Sequence, residues 1–132
     1  MPALDTEVLF ALDAKDRHHG RALKFLASRG DIIAPDTTIL EFGLVMRSMG
    51  VGSADRGKAA ATLNQALAAY GVRQERTIDA RLLARQCELE SRFGMTFFDS
   101  LIAASALALD GTIVSDDKAF DDVPGLRRIS LG

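Results

Sequence analysis

The sequence predicts an α/β fold in which a parallel sheet is covered by helices on both faces. Short apolar segments rich in β-branched residues alternate with segments whose apolar residues recur at helical spacing. Strands that alternate with helices pair in parallel, because each helix carries the chain back across the sheet in a right-handed crossover. The 132 residues are a usual length for one domain, so we expect residues 1–132 to form a single domain.

The first half of the chain predicts two strands and three helices. Apolar residues 2–4 form the first strand, and a helix follows from Thr6. Asp16 is a candidate N-cap for the second helix, and Gly30 is a candidate left-handed end for it. The β-branched segment 31–35 is the second strand; it closes with a proline, and the third helix follows.

The second half of the chain predicts three further helices and the rest of the sheet. An alanine-rich helix begins at Ser53 and ends at Gly71, where glycine tolerates a left-handed backbone. Residues 72–77 form either a short edge strand or a connector, and the helix after them ends at Gly94. The last helix, 100–109, is apolar on nearly all sides, which predicts cover on more than one face. The remaining strands are expected at 112–115 and 126–130.

The composition is that of an ordinary globular protein, with 48% apolar and 26% charged residues. A formal net charge of -2 provides no global basic field, so a polyanion would have to be held by local charge or by a metal. Cys87 is the only cysteine, which excludes an internal disulfide and a thiolate metal site. We find neither a secretory signal nor a spanning apolar segment, and we expect a cytoplasmic protein.

Acidic residues follow or flank several of the predicted strands. Asp5 comes after the first strand, and Asp116 and Asp117 come after the penultimate strand. Glu41 and Asp99 belong to helices that adjoin the sheet. Because sites in parallel α/β sheets form at the carboxyl ends of the strands, we expect these acids to converge.

Each of these acids, taken alone, also has a purely structural interpretation. Glu41 could be a partly exposed residue whose stem packs while its carboxylate reaches water. Asp5 and Asp99 could be helix N-caps, and Asp116 and Asp117 could be turn residues. The alternative to a catalytic site is therefore a non-catalytic α/β binding or scaffold module.

Convergence of the acids would favour a divalent cation. Two carboxylates about 4 Å apart repel by about 4 kcal/mol at an effective dielectric of about 20, and a cation removes that cost. Oxygen ligands without cysteine favour Mg²⁺ or Mn²⁺ over zinc. Such an ion supports metal-assisted phosphodiester hydrolysis. A phosphotransfer enzyme is disfavoured, because Asp5-Thr6-Glu7 lacks a second aspartate two positions after the first.

Four segments in order carry a resemblance to a known family. They are Leu4–Leu9, the helix with Glu41, Phe98–Ala104 and Ile113–Phe120. Together they resemble the PIN-domain nucleases, specifically the VapC-like toxin ribonucleases, over essentially the whole chain. The resemblance implies a PIN-like three-layer α/β/α sandwich around a mainly parallel sheet. It also implies a metal-dependent endoribonuclease that is the toxin of a toxin–antitoxin pair.

The resemblance also implies roles for individual residues. Thr6 and Ser115 would supply hydroxyl groups near the metal or its water. Asp117 matches better than Asp116, because the family pattern places a hydroxyl residue, one variable residue and then the acid; Asp116 stays a reserve candidate. Glu7 departs from the pattern, since many relatives have asparagine there, and its charge either tunes the site or faces elsewhere. The implied catalytic acids and ligands of Mg²⁺ or Mn²⁺ are Asp5, Glu41, Asp99 and Asp117.

The expected partners are an RNA substrate, an antitoxin protein and a second copy of the chain. Alanine-rich helices could form a homodimer surface or receive an antitoxin helix. Lys118 is the cation nearest to the acids in sequence and is the candidate for RNA contact. His18 and His19 are expected to be solvated. Further cations that could line a groove are Arg17, Arg21, Lys24, Arg47, Arg56 and Lys58.

Overall fold

A five-stranded parallel sheet forms the centre of the molecule in the computed structural model, which describes residues 1–132. The strands are β1 (Ala3–Leu4), β2 (Ile33–Pro35), β3 (Arg73–Glu75), β4 (Thr112–Val114) and β5 (Arg127–Ile129). They lie in the spatial order β3-β2-β1-β4-β5, and all four neighbouring pairs are parallel, as predicted. The segment 72–77 therefore contains an edge strand, β3.

Six α-helices and one 3₁₀ helix connect the strands. Gly71 and Gly94 follow their helices with φ of +69° and +62°, so the predicted glycine ends are confirmed. No helix is both long and apolar enough to cross a membrane. The helices are α1 (Thr6–Phe10), α2 (His19–Ala27), α3 (Asp36–Ser48), α4 (Ser53–Ala69), α5 (Ala80–Phe93), α6 (Phe97–Ala108) and the 3₁₀ helix (Lys118–Asp122).

The second helix differs from the prediction at both ends. Helix α2 stops at Ala27, and Gly30 does not adopt a positive φ, so the predicted glycine end is wrong. Asp16 does not cap α2 directly; its carboxylate accepts a hydrogen bond from the amide of His18 at 2.8 Å, before the helix begins. The turn that Asp16 forms moves the start of the helix two residues further along the chain. His18 consequently becomes the N-cap residue.

The two faces of the sheet pack against different helices, which confirms the three-layer α/β/α architecture. Successive residues of a strand point to opposite faces. Leu4 belongs to a core built with α1 to α4, whereas its neighbour Ala3 belongs to a core built with α5 and α6. In β4, Val114 and Ile113 divide between the two cores in the same way. Both faces are therefore buried, as a parallel sheet requires.

The carboxylate of Asp36 joins the start of α3 to the segment that follows the edge strand β3. Asp36 accepts hydrogen bonds from the amides of Thr37, Thr77 and Ile78 and from the Thr77 hydroxyl, at 2.7–3.1 Å. Partial burial opposes ionisation, but these hydrogen bonds outweigh it and lower the pKa of Asp36 below its usual value. The hydroxyl of Ser105 on α6 contacts Thr37 and Thr77 at 2.7 and 2.8 Å. Helices α3 and α6 are thereby fixed relative to β3.

Replacing Asp36 with alanine is expected to lower the free energy of unfolding by about 2 kcal/mol. The substitution leaves several backbone amides without their acceptor, and hydrogen bonds to a charged group are the stronger class. Urea unfolding at neutral pH measures the change. Asp122→Ala, on the exposed end of the 3₁₀ helix, is the control and should stay within about 0.5 kcal/mol of the parent. Equal losses in the two variants would contradict this role of Asp36.

Candidate active site

The pairing of β1 with β4 brings Asp5 and Ser115 together at the carboxyl edge of the sheet. Leu4 and Val114 are register partners, and the Asp5 amide donates to the Val114 carbonyl at 3.0 Å. The next residue on each strand therefore lies at the same edge. The Ser115 hydroxyl donates to Asp5 Oδ2 at 2.7 Å, although the two residues are 110 positions apart.

Asp5 is a buried acid with no cationic partner. Only 7% of the residue is exposed, and burial raises the pKa of Asp5 from its usual 3.8 to about 7. Hydrogen bonds from the Ser115 hydroxyl and the Thr6 amide oppose that rise, and the charges of Glu7 and Asp99 add to it. Asp5 is also the N-cap of α1, because Oδ1 accepts from the Thr6 amide at 2.8 Å. The capping interpretation is correct and accounts for only one of its two oxygens.

Glu41 reaches the same edge from α3. Thr38, one turn earlier, donates its hydroxyl to the Leu4 carbonyl at 2.8 Å and holds α3 against β1. The Thr6 hydroxyl donates to Glu41 Oε1 in a short hydrogen bond. Burial raises the pKa of Glu41, the Thr6 hydroxyl lowers it, and the charge of Asp99 raises it further. Thr6 thus touches Glu41 through its hydroxyl and Asp5 through its amide.

Asp99 stands in the first turn of α6 and is not its N-cap. The helix begins at Phe97, and Thr96 is the N-cap, with its hydroxyl accepting from the Asp99 amide at 3.2 Å. The capping interpretation of Asp99 is therefore wrong by three residues. Burial raises the pKa of Asp99, and the charge of Asp117 raises it further. Asp99 interacts electrostatically with all the other implied acids, since its charge also raises the pKa of Asp5 and of Glu41.

The two consecutive aspartates after β4 have different partners. The Asp117 amide donates to the Ser115 hydroxyl at 3.0 Å, and the Asp117 carboxylate caps the 3₁₀ helix by accepting from the Ala119 amide at 2.9 Å. Asp117 is exposed at the edge of the site, close enough for its charge to raise the pKa of Asp99. The Asp116 carboxylate, by contrast, faces Arg21 and the last residues of the chain, Ser130 and Leu131.

Glu7 faces the acids, which the sequence left undecided. Its Oε1 accepts from the Asp116 amide at 2.6 Å and lies 3.3 Å from the Ser115 hydroxyl. The charge of Glu7 raises the pKa of Asp5 and of Asp99. The sequence feature that could have indicated this is the position of Glu7 in the first turn of α1, the helix that Asp5 caps.

Arg128 is a further contributor that sequence reasoning missed. Its guanidinium binds both carboxylate oxygens of Asp121, at 2.8 and 3.2 Å, and donates to the Ser115 carbonyl at 3.1 Å. Arg128 therefore holds both ends of the turn that carries Asp117. Lys118, the predicted RNA contact, lies on the exposed surface of this turn, where its charge helps to lower the pKa of Asp121.

The acids match a divalent cation in donor chemistry. None of the four implied ligands, nor Glu7, forms an ion pair with lysine or arginine. As the side chains stand, no three acidic, histidine or cysteine groups converge closely enough to surround an ion. Mg²⁺ keeps several water ligands and is commonly bound through one or two carboxylates, so a complete cage of side chains is not required. An uncompensated, oxygen-only donor set fits Mg²⁺ or Mn²⁺.

A parallel sheet of this order with acids at its carboxyl edge defines a PIN-like α/β protein. The model of the PIN domain family matches residues 3–126, and the chain belongs to that family. No curated protein sequence matches the chain significantly.

Solved structures share this fold at low sequence identity. VapC20 from Mycobacterium tuberculosis, a sarcin-ricin loop cleaving toxin, has a TM-score of 0.70 and 21% identity, over 92% of this chain and 93% of that one. VapBC2 from Rickettsia felis, bound to a promoter DNA fragment, has a TM-score of 0.70 and 19% identity, over 97% and 96%. A toxin–antitoxin complex from Klebsiella pneumoniae has a TM-score of 0.69 and 15% identity, over 100% and 98%.

The raised pKa of Asp5 predicts that the metal-free protein loses stability as the pH rises. Between the usual value of 3.8 and about 7, the folded state binds a proton that the unfolded state has released. The free energy of unfolding should therefore fall across this window, by at most about 4 kcal/mol at about 1.4 kcal/mol per pKa unit. Asp5→Asn should flatten the profile and be more stable than the parent at pH above about 7.

Urea unfolding in EDTA at a series of pH values measures both effects. Asp122→Asn, which removes an exposed carboxylate, is the matched control and should keep the slope of the parent. If Asp5→Asn retained the parent's slope through this window, Asp5 would not be the group responsible.

Proposed function

We propose that the chain is a metal-dependent endoribonuclease that hydrolyses RNA phosphodiester bonds. The observation that carries this proposal is the buried, cation-free Asp5, whose pKa is raised by its burial and by neighbouring acids. Buried carboxylates that raise one another's pKa are typical of functional sites, because a folded protein gains no stability from keeping them. The family and the shared fold support the same assignment.

The chain's own residues orient the acids for this reaction. A bound Mg²⁺ or Mn²⁺ lowers the pKa of water, orients the phosphodiester and stabilises charge on the leaving oxygen. The hydroxyl of Ser115 and the amide of Thr6 hold the two oxygens of Asp5, and the hydroxyl of Thr6 holds Glu41. Water attacks phosphorus and the bond to the 3′ oxygen breaks, which leaves a 5′-phosphate and a 3′-hydroxyl.

A non-catalytic scaffold is the competing assignment, and the environments of Glu41 and Asp99 argue against it. Asp5 and Asp117 both act as caps, as a scaffold would use them. Glu41 and Asp99 are part-buried and make no ion pair, and burial raises the pKa of both. Such placements cost stability and have no structural benefit, whereas a site for a cation explains them.

Hydrolysis of a labelled single-stranded RNA tests the assignment. EDTA should abolish cleavage and Mn²⁺ should restore it. Asp99→Asn should reduce the rate by about 10²-fold or more, since it removes charge from the centre of the acid set. Asp122→Asn is the control for loss of a surface carboxylate. Cleavage that persists in chelator, or an Asp5→Asn variant with full activity, would remove the mechanism; a DNA strand of the same sequence tests the choice of substrate.

We further propose that an antitoxin helix binds an apolar groove between α1, α3 and α4. The groove measures about 540 Å³, and the rings of Phe10 and Phe42 lie 4.6 Å apart in its wall. Met49, at its rim, is 69% exposed. One of the similar structures, from Klebsiella pneumoniae, is a toxin–antitoxin complex. An amphipathic helix laid into an apolar groove is a common mode of recognition.

Co-expression with the product of an adjacent small gene tests this partner. Met49→Lys should weaken co-purification by about 10-fold, because it places a charge in the apolar contact. Ile78→Lys is the matched control, since Ile78 is 47% exposed outside the groove, and it should bind as the parent does. Equal binding by both variants would exclude the groove as the contact surface.

A homodimer and a cytoplasmic location stay predictions of the sequence. Leu40 and Leu44 lie one turn apart on α3, next to Glu41, and Phe97 lies beside Asp99 in the chain. All three are exposed apolar residues. They would supply the apolar contact of a second copy beside the acids.

A further inference from the structure

A cationic cluster lies beside the acids, at the start of α2. Arg17 Nε is 3.1 Å from His18 Nε2, and Arg21 Nη1 is 3.0 Å from His18 Nδ1. Arg21 also forms an ion pair with Asp116 through Nη2. Since the Asp116 amide donates to Glu7, a single residue links this cluster to the acid site. His18 is consequently half-buried against two guanidinium groups, and its predicted solvation is incomplete.

Hydrogen-bond donors exceed acceptors in this cluster. A guanidinium offers only donors, and a neutral imidazole offers one donor and one acceptor. Both ring nitrogens of His18 face an arginine, so at least one of these two contacts lacks an acceptor. Arg21 Nε is buried and has no acceptor. Asp116 is the only carboxylate that pairs with a guanidinium of the cluster, and its other oxygen already accepts from Ser130 and Leu131. The nearby Asp16 carboxylate accepts from the backbone amide of His18.

The N-terminus of α2 adds further hydrogen-bond donors at the same place. His18 is the N-cap residue of this nine-residue helix, and its side chain makes no capping hydrogen bond. The free amides and the dipole at a helix start favour an anion. Two guanidinium groups, an imidazole and an uncapped helix start therefore share one location with too few acceptors.

We propose that Arg17, His18 and Arg21 form a binding site for a phosphate group of the nucleic-acid strand. A phosphodiester supplies acceptor oxygens and negative charge, which are the two things that the cluster lacks. The inference rests on the proposed function for the identity of the strand, because the cluster borders the acid site. It would hold the strand by a phosphate other than the one being hydrolysed, so that binding and hydrolysis use separate residues.

In this proposal Asp116 competes with the phosphate for Arg21. Its carboxylate occupies Arg21 when no strand is bound and competes with the phosphate for the same guanidinium. Its backbone amide meanwhile holds Glu7. Asp116 is thus a positioning residue between the cationic cluster and the acids.

Fluorescence anisotropy with a short, end-labelled, single-stranded RNA tests the site. The assay is run in EDTA, so that binding is measured without hydrolysis. Arg17→Gln is the deciding variant, because Arg17 is exposed, forms no ion pair, and its guanidinium hydrogen-bonds only to His18. We expect about 3- to 10-fold weaker binding, and a decrease of about 0.7 in the slope of log affinity against log salt, the value for one phosphate contact to a single strand.

Arg127→Gln is the matched control. Arg127 is exposed and is the first residue of β5, so it lies at the amino ends of the strands, whereas the acids lie at their carboxyl ends. Its loss removes the same charge and should change affinity by less than about 1.5-fold. Equal affinities and equal salt slopes for Arg17→Gln and Arg127→Gln would overturn the proposal.

Two further measurements separate this site from general charge and from the proposed function. Asp116→Asn should bind RNA about 2- to 3-fold more tightly, because it releases Arg21; weaker binding with an unchanged melting temperature would contradict the competition. Inorganic phosphate should displace RNA less effectively from Arg17→Gln than from the parent, and equal displacement would count against the site. If the salt slope falls as expected while RNA survives in Mn²⁺, the phosphate site stands and the nuclease assignment fails.

Discussion

The hydrogen bond between Ser115 and Asp5 is the interaction on which the site depends. It joins residues 110 positions apart and exists only because β1 and β4 are neighbours in the sheet. Parallel pairing forces both strands to end at the same edge, so the residues that follow them meet there. The same hydroxyl accepts from the amide of Asp117, which carries the acid of its own segment. One serine therefore connects two of the four segments that carry acids.

The cost of this arrangement is the burial of the carboxylates, to which their mutual repulsion adds. Asp5, Glu41 and Asp99 all have raised pKa values, and burial is the largest cause in each case. Hydrogen bonds from Ser115 and Thr6 offset part of that cost and leave the carboxylates without cations. A protein that keeps buried, unpaired carboxylates at a strand edge gains no stability from them, which supports the proposal that they bind a cation.

The turn after β4 is held from outside the site. Arg128 binds the Ser115 carbonyl and Asp121, while Asp116 binds Arg21 and the end of the chain. These contacts use cations that never reach Asp5 or Glu41, so the turn is fixed without neutralising the acids. Arg21 and Arg128 place positive charge around the acid site, whose centre stays negative. A bound nucleic-acid strand would contact both regions.

The alternation of strands and helices was determined by the sequence, because local periodicity and turn residues act over a few positions. Asp5 and the pair Asp116 and Asp117 could be selected because parallel strands end at one edge of the sheet. The resemblance to the PIN-domain nucleases completed the set with Glu41 and Asp99 and preferred Asp117 to Asp116. The direction of Glu7, the diversion of Asp116 to Arg21 and the contacts of Arg128 were decided by the tertiary structure alone. Each depends on partners from distant segments, which no local pattern records.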